Sequence, residues 1–167
     1  MAKQTGKISE LYKTEDCWAI WLGLLIIFVA MAFFWSGTTI KEIAITPGKW
    51  SDLVGLWSDL VKHFVPYIII FLGFGLVFTI SMAVMGHNIK EYLSGYTIIF
   101  LGSLAIFYLA SSKMMKEAHL GAPLLALIIG LIIGNLKKMP RWFYTSMRTE
   151  YYIKTGIVLL GATLPFT

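Results

Sequence analysis

The sequence has little charge, and its long apolar segments contain no acidic residue. Of the 167 residues, 14% are charged and 57% are hydrophobic, and the mean hydropathy is +0.74. A soluble domain usually has about 25% charged residues. This much apolar surface cannot be buried in one soluble core. The composition therefore excludes a soluble enzyme, a nucleic-acid-binding module and a disordered chain.

Cysteine is nearly absent, and residues that could perform chemistry inside a membrane are missing. The single cysteine, Cys17, excludes an internal disulfide and any Cys-based zinc site. Proton-driven carriers commonly bury an acidic residue or a histidine, but here His63, His87 and His119 all lie at the ends of apolar segments. The acidic residues also lie in tails or loops: Glu10, Glu15, Asp16, Glu42, Asp52, Asp59, Glu91, Glu117 and Glu150. We expect no enzyme, no catalytic residue, no metal and no cofactor.

Five apolar segments predict an all-α, polytopic membrane helix bundle. After a polar tail over residues 1–16, the membrane domain covers residues 17–167. It is predicted to contain four full transmembrane helices and a short fifth. The first segment would rise about 26 Å as a helix, close to the thickness of a hydrocarbon core. The predicted spans are 18–35, 64–85, 96–110, 120–136 and 155–167.

The fifth segment is too short to be an ordinary transmembrane helix. Its apolar stretch covers only residues 157–166, and ten residues cannot cross a bilayer. Two interpretations remain open, a half-helix within the membrane and a span that has been truncated.

Residues 47–62 form an amphipathic segment between the first two spans. Its apolar side chains recur at helical spacing, whereas Asp52, Ser58 and Asp59 fall elsewhere. A helix of this kind can lie in the membrane interface with its tryptophans at the acyl boundary. A connector packed on the other helices explains the pattern equally well.

The distribution of lysine and arginine predicts the orientation. Alternating crossings place the tail, the 86–95 loop and the 137–154 segment on one side, with nine of the 14 basic residues. The other side has the remaining five. Basic residues favour the cytoplasmic side, so the N-terminus is predicted to be cytoplasmic.

Small residues within the last two segments are the candidate functional residues. They are Gly130, Gly134 and Asn135 in the fourth segment, and Gly156 and Gly161 in the fifth. One interpretation is close helix packing of the GxxxG type. The other is a helix broken within the membrane, which would direct backbone N–H groups at an anion.

Lys154 is the one charge that closely adjoins the fifth segment. Its ammonium group could extend to the headgroups. Alternatively, it could attract an anion at a cytoplasmic entrance.

Three ordered stretches resemble one family of membrane proteins. They are APLLALIIGLIIGN, the following loop with Pro140 and Phe143, and IKTGIVLLGATLPF. Together they resemble the bacterial YeiH-like family, whose members are classed by similarity as sulfate exporters. The opening EDCWAIWLGLLIIF resembles the beginning of longer members. One departure is the stretch 145–148, where many members have a glycine.

The resemblance implies an inner-membrane, multi-pass secondary carrier with two inverted halves, each containing a broken helix. This chain would be the N-terminal portion, an incomplete transporter that exports sulfate or a related small anion. The five small residues would be substrate-pathway or helix-break residues. The implied partners are the lipid bilayer, a small inorganic or organic anion and the missing C-terminal half of the same chain. A homo-oligomer is left open, and no nucleic acid is expected. The alternative function is a small structural or regulatory membrane protein that packs through its GxxxG helices.

Overall fold

The protein is described by a computed structural model over residues 14–37, 45–136 and 140–161, and these ranges are helical with no strand. The prediction of an all-α fold is confirmed. The helices are α1 Glu15–Trp35, α2 Leu53–Lys62, α3 Phe64–Val84, α4 Ile89–Ser111, α5 Lys113–Glu117, α6 Ala122–Leu136, α7 Arg141–Ser146 and α8 Thr149–Gly161.

Three helices in the described part of the chain are long and apolar enough to cross a membrane. They are α1 and α3, with 21 residues each, and α4, with 23. The apolar helix α6 has 15 residues, a rise of about 23 Å against a hydrocarbon core of about 30 Å. Its described part is therefore shorter than the full transmembrane helix that we predicted. The protein is a membrane helix bundle.

Helix α4 is longer than its apolar core suggested, because it begins at Ile89 rather than near residue 96. Asn88 precedes it, and the side chain of Asn88 accepts a hydrogen bond from the backbone N–H of Lys90. Glu91 lies in the first turn, where a negative charge interacts favourably with the helix dipole. A polar cap thus extends the helix over residues that the hydropathy pattern assigns to a loop.

Helix α2 covers part of the predicted amphipathic segment. Its apolar side chains Leu53, Val54 and Trp57 are mostly exposed. The carboxylate of Asp59 accepts a hydrogen bond from the hydroxyl of Tyr108 in the neighbouring helix α4. The outward apolar face is of the kind that contacts lipid. Placement of α2 in the membrane interface stays a prediction.

The extended residues before α2 are attached to the junction of α4 and α5. The backbone N–H of Lys113 donates to the carbonyl of Trp50 at 2.9 Å. The indole N–H of Trp50 donates to the carbonyl of Tyr108 at 2.8 Å. We call the end of the bundle that carries α2 and α5 the far end. The near end is the opposite one, where α1, α4 and α8 begin.

The core lies at the near end. Helix α8 packs along α1, and α4 contacts α3, α6 and α7. The core is rich in tyrosine and consists of Ala19, Leu22, Phe78, Met82, Tyr92, Tyr96 and Tyr151. The turn from α3 to α4 passes through Gly86, whose φ of +83° suits glycine. The next backbone N–H, that of His87, donates to the carbonyl of Met82 at 3.0 Å, which fixes His87 beside the core.

Candidate functional site

Arg148 connects three parts of the chain at the near end. It lies between α7 and α8, and its Nη1 forms an ion pair with Glu15, the first residue of α1. Its Nη2 lies 3.0 Å from Nε2 of His87 and 3.3 Å from Nδ1 of the same ring. The side chains of Arg148 and Glu15 are only 28% and 26% exposed. We call Glu15, His87 and Arg148 the Arg148 cluster.

The imidazole of His87 is neutral in this cluster. A guanidinium group has only donors, so the ring nitrogen that faces it must be an unprotonated acceptor. Burial lowers the pKa of His87 below its ordinary value, and the positive charge of Arg148 lowers it further, while Glu15 opposes the shift. At neutral pH, His87 therefore accepts a hydrogen bond from Arg148.

The Arg148 cluster makes the stability of the protein dependent on pH. In the unfolded chain a histidine titrates near pH 6.5, and the pKa of His87 is lower when folded. Below about pH 6.5 the unfolded state therefore binds more protons, and the folded state loses stability as the pH falls. Thermal unfolding in detergent at about pH 8 and about pH 5 measures this loss, which should be smaller in His87→Gln. An equal loss in both proteins would contradict the assignment.

Lys154 lies between two carboxylates. Its Nζ is 2.5 Å from Oδ1 of Asp16 in α1 and 3.3 Å from Oε2 of Glu150, one turn earlier in α8. The side chains of all three residues are well exposed to the surroundings. An anion that approached Lys154 would compete with these two carboxylates for its positive charge. The role of Lys154 as an anion entrance stays a prediction.

A network of hydroxyl groups lies behind these ion pairs. The hydroxyl of Tyr151 donates to Oγ of Ser81 at 2.7 Å. The hydroxyl of Tyr152 donates to the carbonyl of Ser146 at 3.2 Å, so its single proton is used and it accepts from Tyr92 at 2.8 Å. These hydrogen bonds join α3, α4, α7 and α8. We call Ser81, Tyr92, Ser146, Tyr151 and Tyr152 the tyrosine network.

Two glycines that the sequence analysis did not select make the closest helix contacts. A Cβ atom added at Gly95 in α4 would lie 2.0 Å from Oγ of Ser146. One added at Gly23 in α1 would lie 2.5 Å from Cγ1 of Val158 in α8. Because glycine leaves room there, Ser146 reaches past Gly95 to the carbonyls of Glu91 and Tyr92, at 3.2 and 3.0 Å.

The predicted glycines are in open positions. No described atom lies within 4 Å of a Cβ atom added at Gly130, Gly134, Gly156 or Gly161. Helix α6 continues through Gly130 and Gly134, and α8 continues through Gly156. Gly161 is the last residue of α8, and residues 162–167 lie outside the described residues.

Asn135 is engaged with its own helix. Its Nδ2 donates to the carbonyl of Leu131 at 2.7 Å. The described residues therefore do not bring the five small residues together into one site.

Comparison with known proteins identifies the family of this chain. The family described as Conserved hypothetical protein 698 matches residues 75–167, from the middle of α3 to the end of the chain. The chain belongs to this family. The match covers more than half of the chain, includes the tyrosine network and Arg148, and confirms the resemblance to the YeiH-like family.

The similar curated proteins are membrane proteins from several bacteria. A UPF0324 membrane protein of Nitratidesulfovibrio vulgaris is 36% identical over 92 residues, which are 55% of this chain and 16% of that protein. A UPF0324 membrane protein of Rhodopirellula baltica is 30% identical over 135 residues, which are 81% of this chain and 22% of that protein. A UPF0324 membrane protein of Nitrosomonas europaea is 26% identical to this chain, and the match covers 92% of this chain and 36% of that protein. No solved structure matches the chain.

The chain thus spans between about a sixth and about a third of the length of these relatives.

Proposed function

We propose that this chain is the N-terminal part of a secondary carrier that exports sulfate or a related small anion by alternating access. Membership of the YeiH-like family supports this proposal, because its members are classed by similarity as sulfate exporters. The three long apolar helices supply the membrane framework that a carrier requires. No catalytic residue or cofactor is needed for such a function.

The open glycine faces of α6 and α8 are the observation that carries the proposal. In α6 only Leu125 is buried, and Gly130 and Gly134 meet no described atom. In α8, Gly156 and Gly161 are equally unobstructed. Faces of small residues allow helices to approach closely in a membrane. We propose that the remaining helices of the carrier pack here, with the anion between them and this bundle.

The anion would be bound mainly by backbone N–H groups. A helix that begins within the membrane presents unpaired N–H groups and a positive dipole end, which together bind sulfate without a buried basic side chain. Since α6 and α8 are continuous through Gly130, Gly134 and Gly156, a break in these helices would have to fall at Gly161 or beyond. Lys154 would attract the anion at the entrance.

The proposed location is the bacterial inner membrane, with the N-terminus and the near end on the cytoplasmic side. The excess of lysine and arginine on that side supports this orientation. It places Lys154 and Arg148 where an anion to be exported would enter.

Transport of radiolabelled sulfate tests the proposal. The complete natural protein that carries this chain is expected to move sulfate across liposome membranes. Gly161→Leu should abolish this movement while leaving insertion intact. Because a Cβ atom at Gly161 meets no described atom, the loss would not come from a clash within this bundle. Gly102→Leu is the matched control, since Gly102 in α4 is equally open, and it should transport normally.

Two results would contradict parts of this proposal. If Gly161→Leu transports like the wild type, Gly161 is neither a break nor a pathway residue. If the wild type moves neither sulfate nor another small anion, the carrier proposal fails. The open face at Gly130 and Gly134 would then favour the alternative, a structural or regulatory protein that packs through this face.

A further inference from the structure

A second polar cluster lies at the far end, where α2 folds back over α3 and α4. Oδ2 of Asp59 accepts hydrogen bonds from the hydroxyl of Tyr108 at 3.1 Å and from the backbone N–H of Gly48 at 3.4 Å. Its Oδ1 lies 3.3 Å from Nδ1 of His63. The side chains of Asp59 and His63 are 19% and 18% exposed. With Tyr67, whose hydroxyl lies 3.2 Å from that of Tyr108, these residues form the Asp59 cluster.

The Asp59 carboxylate has no permanent positive partner. Within the described ranges, no lysine or arginine lies within 4.0 Å of it, and Lys62 on the same helix is exposed. The groups that face it from α3, α4 and residues 45–51 are tyrosine hydroxyls and a backbone N–H. Among the described residues, His63 is the one basic side chain within 4.0 Å of this carboxylate.

The geometry also determines which nitrogen of His63 is available. Nδ1 lies 3.0 Å from the backbone carbonyl of Asp59 and 3.3 Å from its carboxylate. Both are acceptors, so Nδ1 carries the proton and Nε2 has the free lone pair. An imidazole held in this way by a carboxylate has a fixed ring orientation and presents its other nitrogen as an acceptor.

Two cavities lie along the α3–α4 pair. A cavity of about 180 Å³ is lined by Pro47 and Tyr67 at the far end. A second cavity of about 170 Å³ is lined by Tyr96 and Tyr152 near the opposite end. Ser103 lines both cavities. The Asp59 cluster therefore borders the first of these cavities, through Tyr67.

We propose that His63, held by Asp59, is the proton-binding site that couples anion transport to proton movement. This inference rests on the proposed carrier function and adds the coupling ion. One proton from the solvent forms an N–H bond at Nε2, no other bond changes, and the Asp59–His63 pair gains one positive charge. Because the pair joins α2 to α3 and α4, its charge alters the contact between α2 and the bundle.

Two assays on the complete natural protein in liposomes separate coupling from transport. The first measures sulfate uptake driven by a pH gradient, and the second measures sulfate exchange at equal pH on both sides. His63→Gln and Asp59→Asn should reduce uptake driven by the gradient about tenfold or more and retain exchange. His119→Gln is the control, because His119 is also at the far end but is exposed, and it should behave like the wild type.

The possible outcomes distinguish the two proposals. Retained exchange shows that a variant is folded, and if Asp59→Asn fails to fold, His63→Gln carries the test. The inference is overturned if His63→Gln keeps uptake driven by the gradient. It is also overturned if the wild type exchanges sulfate but ignores the gradient, and in that case the carrier function stands. If the wild type moves no sulfate in either assay, the carrier function fails and the inference fails with it.

Discussion

Gly95→Ala is expected to destabilise the protein by about 1–3 kcal/mol, the range for an overpacked interior site. The added methyl group would lie 2.0 Å from Oγ and 2.4 Å from Cβ of Ser146, a fully buried residue. Ser146 would have to move, and its hydrogen bonds to α4 would be lost. Thermal unfolding in detergent measures the effect.

Gly102→Ala is the matched control for this experiment. Gly102 lies on the same helix, but a Cβ atom there meets no described atom. Alanine is favoured over glycine in a helix by about 1 kcal/mol, so this variant should be as stable as the wild type or more stable. Equal destabilisation by both substitutions would show that the contact with Ser146 is unimportant.

A second substitution identifies the contact itself. Ser146→Gly removes both atoms that clash with a methyl group at position 95. The double variant should therefore lose less stability than the sum of the two single losses, as expected for residues in contact. Additive losses would place the damage of Gly95→Ala somewhere other than at Ser146.

Arg148→Gln is expected to cost about 2 kcal/mol, because it leaves the Glu15 carboxylate without its charged partner. The cost lies below the roughly 3–5 kcal/mol of a fully buried pair, since both side chains are about a quarter exposed and solvent screens the charge. Thermal unfolding at neutral pH measures this cost. The substitution should also reduce the contribution of His87 to the pH dependence, while the larger part of the pKa shift, which comes from burial, stays.

Lys154→Gln is the matched control, because Lys154 also joins α8 to α1, through Asp16. Its ion pairs are well exposed, and solvent screens exposed pairs so strongly that they contribute little to stability. Arg148→Gln should therefore be the more damaging variant. If the two variants lose equal stability, burial of the Glu15–Arg148 pair has no energetic consequence.

The hydropathy of the sequence was sufficient to predict the helical membrane bundle. Long uncharged runs such as 18–35 must be helical in a bilayer, because no water is present to pair with the backbone. The same criterion marks only residues 96–110 of α4, since Asn88 and Glu91 are polar and stabilise the start of the helix through its cap and dipole instead. Hydropathy records burial in lipid and does not record capping.

The closest packing contacts could not be predicted from local sequence. The GxxxG spacing marks Gly130 and Gly134, yet spacing does not show which glycines a neighbouring helix covers. Gly23 and Gly95 belong to no such pattern and are covered by Val158 and Ser146. The sequence around Gly95 contains one signal for its role, because its neighbours are serine and tyrosine residues whose hydroxyl groups require hydrogen-bond partners.

The sequence did not predict the Asp59 cluster, for a similar reason. Asp59 lies on the polar side of the predicted amphipathic segment, so its sequence pattern indicates no buried partner. The structure folds α2 back so that this carboxylate meets Tyr108 of α4. Periodicity within one segment cannot reveal a contact between residues that are 49 positions apart.

The pairing of α1 with α8 determines the order in which the protein is assembled during synthesis. Glu15 and Arg148 are separated by 133 positions, and ribosomes add roughly 5–20 residues per second. Helix α1 therefore remains in the bilayer for about 7–27 s before its partner is made. Helix α1 can remain stable in lipid during this delay, because only 17% of its most apolar stretch of 18 residues is buried within the described bundle. A ribosome that stalled before codon 148 would leave α1 inserted but undocked.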